Sequence, residues 1–166
     1  QPWAKALVGR GACRCPPDKE RAAQGLASLD AAVAAAPRCG WLYAWRALSW
    51  IQNGKPEKAL ADFDACLKLS PFYHRGYAWR GALLRKLGRH AEALSDLDRA
   101  LAIDELYAFA WHERSLARRG LGDLVGAALD LDRAFFLDHR YSWVFAVGRE
   151  PGPEETRRAF AELDRA

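Results

Sequence analysis

The feature that most constrains the fold is an internal repeat with a period of 34 residues. When the chain is shifted by that step, the segment DLDRA at 96–100 falls on an identical segment at 130–134. Such a period predicts supersecondary units that stack side by side. The columns that recur at this step include Gly54, Gly88 and Gly122; Ala59, Ala93 and Ala127; and Tyr43, Tyr77, Trp111 and Phe145.

Each unit is predicted to consist of two helices, A and B, joined by a turn at the recurring glycine. In the B helices, residues such as Leu94, Leu97 and Leu101 fall on one helical face. One pair cannot bury both of its apolar faces, so the units must stack. The predicted helices are 18–36, 40–53, 56–69, 74–87, 90–103, 108–121, 124–137, 142–149 and 154–166, after an irregular lead at 1–17.

A 34-residue unit with these glycine, alanine and aromatic columns, and with Pro37 and Pro71 at the ends of the first two units, resembles the tetratricopeptide repeat family. The resemblance covers residues 18–166, with repeats at about 18–39, 40–73, 74–107, 108–141 and 142–166. It implies an all-α, right-handed superhelical solenoid. It also implies that the A helices line a concave groove for a partner peptide.

Some members of that family grip a partner's C-terminal carboxylate with Lys and Asn residues in the groove. A carboxylate clamp of that kind is not expected here, because its Asn residues are missing from the matching columns. Those columns read Ala44, Ala78, His112 and Ala146, and then Leu48, Ala82 and Leu116.

The predicted groove is aromatic and basic. Trp and Arg are enriched among residues that dominate binding interfaces, and Arg can donate paired hydrogen bonds to carboxylates. The partner is therefore expected to be a protein or peptide with apolar or aromatic anchors and acidic residues. The candidate partner-binding residues are Trp41, Trp45, Arg75, Trp79, Arg85, Lys86, Phe109, His112, Arg119 and Trp143.

Other interpretations of these residues stay open at the level of sequence. Trp45 and Trp79 could instead pack between neighbouring repeats. The basic residues Arg75, Arg85, Lys86 and Arg119 could be ordinary solvated charges.

Two charge columns are assigned to structure rather than to binding, because they recur in successive units. Arg46, Arg80 and Arg114 lie sixteen residues before Asp62, Asp96 and Asp130, which predicts partly buried ion pairs between the A and B helices. The second acidic column is expected to be convex and solvated, and its members lie too far apart to share a metal ion. It consists of Asp30, Asp64, Asp98, Asp132 and Asp164.

The four cysteines indicate no particular site. Cys66 occupies a small buried position of the repeat, and Cys39 lies in a loop. We expect free thiols in a reducing, cytoplasmic compartment, with a Cys13–Cys39 or Cys15–Cys39 bridge as the alternative in an extracytoplasmic setting.

No leader is visible, but the chain begins at Gln1 and its last predicted helix is shorter than the other B helices. Both features suggest a piece of a longer protein.

The sequence contains no complete motif for catalysis, metal binding or cofactor binding. His112-Glu113 could begin a zinc-binding HExxH, but Leu116 occupies the position of the second His. The glycines of the sequence form no phosphate-binding or dinucleotide-binding motif. We therefore expect no enzyme activity, no metal and no cofactor.

Three functions compete on the basis of sequence. The first is a protein–protein interaction scaffold that binds a partner in the groove. The second is a recruitment or oligomerisation arm of a larger, possibly enzyme-bearing protein. The third is RNA binding, suggested by a pI near 9.0 and by the Arg and Trp residues of the A helices, although the acidic B-helix columns would repel phosphate. No membrane association is expected, because no apolar run approaches the length of a membrane span.

Overall fold

The computed structural model describes the backbone of residues 19–138 and the side chains of residues 24–138. Every regular element between residues 19 and 138 is a helix. Each of these helices begins and ends within one residue of its predicted position. In chain order they are α1 (Lys19–Ala35), α2 (Gly40–Gln52), α3 (Pro56–Leu69), α4 (His74–Lys86), α5 (His90–Ile103), α6 (Ala108–Gly120) and α7 (Leu124–Leu137).

Some of the sequence-based expectations fall outside the described residues. These are the irregular lead at 1–17, the helices at 142–149 and 154–166, and the candidate groove residue Trp143.

The turns inside the helix pairs depend on glycine. Gly54, Gly88 and Gly122 have φ angles of 67°, 78° and 85°, a left-handed conformation that other residues adopt only with strain. At the central turn the amide of Gly88 donates to the carbonyl of Arg85, and that of Arg89 donates to the carbonyl of Leu84. These bonds satisfy the last carbonyls of α4 and reverse the chain into α5.

The helices pack in sequence order, which is the arrangement of a solenoid. The A helices α2, α4 and α6 pair with the B helices α3, α5 and α7, and the B helices α1, α3 and α5 also pack against the A helix that follows each of them. The described part of the chain therefore confirms the all-α solenoid of helix pairs that the period predicts.

The pairs approach closely because small residues lie at their contacts. A Cβ atom added at Gly81 on α4 would lie 2.9 Å from Cγ of Leu97 on α5, so this position has no room for a side chain. Ala47 and Ser115, its equivalents in the neighbouring repeats, are also buried. Phe63 and Leu97 are fully buried beside these contacts, which identifies their B-helix faces as the core.

An arginine on each A helix bridges two B helices. Arg80 on α4 donates from Nε and Nη2 to Asp96 on α5, at 2.7 Å in each bond, and from Nη1 to Asp64 on α3. The hydrogen bonds with Asp96 raise the pKa of Arg80 above its ordinary value. The same arrangement joins Arg46 to Asp62 and Asp30, and Arg114 to Asp130 and Asp98.

The predicted A–B ion pairs are therefore confirmed. The second acidic column is solvated as expected at Asp30, Asp64 and Asp98, whose side chains are all more than half exposed, but each of them also accepts a hydrogen bond from an A-helix arginine. Asp64, for example, is 65% exposed at its side chain, yet it accepts a hydrogen bond from Arg80. The physical reason is the length of the arginine side chain, whose fork reaches both the following and the preceding B helix.

The described cysteines follow the sequence prediction. Cys66 is fully buried in the core between α2 and α3, and Cys39 is half-buried immediately before α2. Both carry free thiols. Within the part of the chain that the structure describes, no helix has the length and apolar character needed to cross a membrane.

Candidate binding groove

The A helices of neighbouring repeats contact one another directly and form one side of the solenoid. Trp45 of α2 meets Trp79 of α4 with ring centroids 5.6 Å apart and planes inclined at 65°. Further along, Nε of Arg85 on α4 donates to Oε2 of Glu113 on α6 at 2.8 Å. These two contacts define the candidate groove as the surface shared by α2, α4 and α6.

A chain of aromatic rings follows this surface. The Trp79 ring meets Tyr73 at 6.2 Å, edge to face, and His74 meets Tyr107 at 5.0 Å in the same manner. The Tyr73–His74 and Tyr107–Phe109 contacts, at 6.3 Å and 5.8 Å, complete the series from Trp45 to Phe109. Edge-to-face contacts of this kind are favourable beyond the area that they bury.

The two tryptophans combine both of the roles that the sequence leaves open. Trp45 and Trp79 do pack between neighbouring repeats, as one interpretation of the sequence has it. Both nevertheless remain only half-buried, so part of each ring is accessible. Trp41 is also half-buried, and it packs against the core cluster that contains Leu29 and Leu42.

Three of the candidate basic residues are exposed. They are Arg75 near the beginning of α4, Lys86 at its last residue, and Arg119 near the end of α6. Arg85 is different, because its side chain is only 20% exposed and is paired with Glu113, whose side chain is 8% exposed. The interpretation of Arg85 as an ordinary solvated charge is therefore wrong.

Glu113 is the most buried charged group on this surface. Burial favours its neutral form, but the neighbouring His112 and the hydrogen bond and positive charge of Arg85 outweigh that effect and lower the pKa of Glu113. His112 itself is half-buried, with Nδ1 lying 3.6 Å from Oε1 of Glu113. The candidate residues Arg85 and His112 are thus brought together around one buried carboxylate.

A second histidine lies in the aromatic series. His74 places Nε2 3.4 Å from a carboxylate oxygen of Asp104. Burial lowers the pKa of His74, with a smaller lowering by Arg75 and an opposing effect of Asp104.

Sequence reasoning missed Tyr73, His74 and Tyr107 as members of this surface. A signal for two of them was present, because Tyr73 and Tyr107 occupy the same column immediately before successive A helices. Within residues 24–138, no group of three or more His, Cys, Asp or Glu residues has an arrangement that could hold a metal ion.

Comparison with solved structures finds the same fold in several proteins. A crystal structure of MamA aligns with a TM-score of 0.66 at 16% identity, covering 89% of this chain and 79% of that one. MamA 41-end from Desulfovibrio magneticus RS-1 aligns with a TM-score of 0.69 at 20% identity, covering 84% and 78%. The first TPR of Spaghetti (RPAP3), bound to the HSP90 peptide SRMEEVD, aligns with a TM-score of 0.59 at 21% identity, covering 66% and 95%.

A search of curated protein sequences found no match. A sequence model described as tetratricopeptide repeat, in contrast, matches residues 18–74 and 46–110. Since these matches together span more than half of the chain, and the helices stack as the repeat requires, the protein belongs to the tetratricopeptide repeat family.

Proposed function

We propose that this chain is a protein-interaction module that binds a peptide segment of a partner along the groove of α2, α4 and α6. The observation that carries the proposal is the pair Trp45–Trp79, two large rings that contact each other across repeats and remain partly exposed. Rigid aromatic side chains of this kind bury a large area on binding and lose little conformational entropy.

Basic side chains on the groove helices supply the second element of the proposed specificity. Arg75, Lys86 and Arg119 are exposed on the helices that carry the aromatic residues. Acidic residues in the partner would gain from these charges, and the attraction would weaken as salt concentration rises. The neighbour bound to an HSP90 peptide supports the general mode, because a protein of this fold binds a peptide segment there.

The test is a selection of random peptides displayed on phage against the full chain, followed by titration of a synthetic copy of an enriched peptide. Trp79→Leu should weaken binding about tenfold or more, because an interface aromatic anchor commonly contributes over about 1.4 kcal/mol. The matched control is Phe136→Leu, since Phe136 is an aromatic residue of α7 that is 74% exposed.

The control variant should bind like the wild type. Thermal unfolding of the three proteins separates a lost contact from a lost fold. The proposal is abandoned if no peptide is enriched over an unrelated helical protein, or if a folded Trp79→Leu variant binds unchanged.

A further inference from the structure

The guanidinium of Arg85 has only part of its hydrogen-bonding capacity in use. Its Nε donates to Glu113, and among the described residues the structure shows no other hydrogen bond or ion pair for this side chain. The two Nη groups, with four N–H donors between them, therefore have no protein acceptor in the described part of the chain. At this end of the guanidinium, the two Nη groups can donate parallel hydrogen bonds to the two oxygens of a second carboxylate.

The bridging arginines provide an internal comparison. Arg46, Arg80 and Arg114 each use Nε and Nη2 on one aspartate and Nη1 on another, so each guanidinium faces two carboxylates. Those residues are committed to holding the helices together. Arg85 faces a single carboxylate, and a second acceptor can come from outside the chain.

Glu113 prepares Arg85 for this role. The carboxylate is buried, and its bond to Nε anchors a side chain that otherwise rotates freely. An arginine ordered before binding loses less conformational entropy when it meets its ligand. Two further basic residues are exposed on the groove helices, since Lys86 is the next residue of α4 and Arg119 is the residue of α6 that corresponds to Arg85 in the repeat.

The location of Arg85 relative to the tryptophans sets the spacing of the ligand. Trp79 and Arg85 lie six residues apart on α4, which corresponds to about 9 Å along the helix. The pair Trp45–Trp79 lies between α2 and α4, whereas Arg85–Glu113 lies between α4 and α6, so the sites are also displaced by up to about 10 Å across the groove. An extended peptide rises roughly 3.3 Å per residue, so about three or four residues span the distance.

We propose that the unoccupied Nη end of Arg85 is the groove's recognition site for an aspartate or glutamate side chain of the partner peptide. This acidic residue lies three or four positions from an apolar residue that contacts Trp45 and Trp79. The inference rests on the proposed function of the groove. The proposed ligand is a side-chain carboxylate and not the C-terminal carboxylate of the partner. The positions that would carry the polar residues of a C-terminal carboxylate clamp are occupied here by Ala78, Ala82 and Leu116.

The test uses the same full chain and a library of random twelve-residue peptides whose C-termini are blocked by fusion. Parallel selections use the wild type, Arg85→Gln, and Arg99→Gln as the control, since Arg99 is an exposed arginine of α5. Wild-type and control selections should enrich Asp or Glu three or four positions from an aromatic or aliphatic residue. Arg85→Gln should retain the apolar preference and lose the acidic one.

Titration of a synthetic peptide from the wild-type selection then measures the coupling between Arg85 and the acidic residue of the peptide. Arg85→Gln should bind it about tenfold to a hundredfold more weakly, as expected for a charge-assisted hydrogen-bonded pair. When the peptide's acidic residue is replaced by its amide, the affinity for the wild type should fall by the same factor. The affinity for Arg85→Gln, which is already reduced, should change little. Arg85→Lys, which keeps the charge but not the paired donors, should recover only part of the affinity.

Arg85→Gln leaves the Glu113 carboxylate buried without the guanidinium, which can destabilise the fold. The double variant Arg85→Gln, Glu113→Gln removes both charges, so it tests the same site without an unpaired buried charge. It should show the same loss of acidic preference. If peptides bind the wild type but their acidic residue does not couple to Arg85, this inference is wrong while the groove proposal stands. If no peptide binds the wild type, both fail.

Discussion

Asp96 receives two hydrogen bonds of 2.7 Å from Arg80, and its side chain is only 9% exposed. The other aspartate held by Arg80, Asp64, is 65% exposed. One guanidinium thus makes a buried pair within its own repeat and a solvent-exposed pair with the preceding repeat. The two pairs should contribute very differently to stability.

Asp96→Ala should lower the free energy of unfolding by about 3–5 kcal/mol, because it leaves a partly buried guanidinium without its main partner. Asp64→Ala should cost at most about 1 kcal/mol, since exposed ion pairs are screened by water and salt. Urea denaturation of the two variants beside the wild type gives both values. Equal losses would mean that the buried pair is not the stronger of the two.

The helix-pair turn gives a second prediction. Gly88 has a φ of 78°, and a Cβ added there meets no atom within 4 Å, so the cost of substitution is conformational rather than steric. Gly88→Ala should destabilise the protein by about 1–2 kcal/mol. Gly88→Asn should cost less, because Asn tolerates the left-handed region. Thermal denaturation distinguishes the two, and an alanine variant as stable as the wild type would contradict the turn assignment.

Glu113 predicts a pH dependence of stability. Its pKa in the folded protein is lowered below its ordinary value of 4.5 despite burial, through the neighbouring His112 and the hydrogen bond from Arg85. A carboxyl with a depressed pKa stabilises the fold above its unfolded pKa and loses that contribution as pH falls through the folded value. The effect should therefore be complete near pH 7 and should decline below about pH 4.5.

Urea titrations at pH values between about 7 and 3 compare the wild type with Glu113→Gln, which has no proton to bind at this position. The stability difference between the two proteins should shrink as the solution becomes more acidic. A constant difference across the series would show that the Glu113 charge does not contribute to the fold.

Cys66 should be unreactive in the folded protein. Burial raises the pKa of its thiol to about 11, so very little thiolate exists near neutral pH. Iodoacetamide labelling followed by peptide mass spectrometry should modify Cys39 well before Cys66, because Cys39 is half-buried and Cys66 is fully buried. In urea above the unfolding midpoint the two should react alike. Rapid labelling of Cys66 under native conditions would contradict its place in the core.

Much of the architecture follows from the sequence. The recurring columns predict every described helix boundary to within one residue, the glycine turns and the arginine–aspartate pairs within each repeat. These features repeat at a fixed interval, and each arises from contacts within one helix pair. The regular pattern in the sequence is therefore enough to predict the helix boundaries, the glycine turns and the ion pairs.

The groove depends instead on tertiary structure. Arg85 and Glu113 are 28 residues apart, an interval that matches no period of the sequence, and nothing in their local pattern pairs them. The contact of Trp45 with Trp79 joins two copies of one column, but the period alone does not tell whether such side chains meet or diverge. The curvature and spacing of stacked helices decide which side chains meet across repeats. Neighbouring residues in the chain do not encode that geometry, because it emerges only when the whole solenoid has packed.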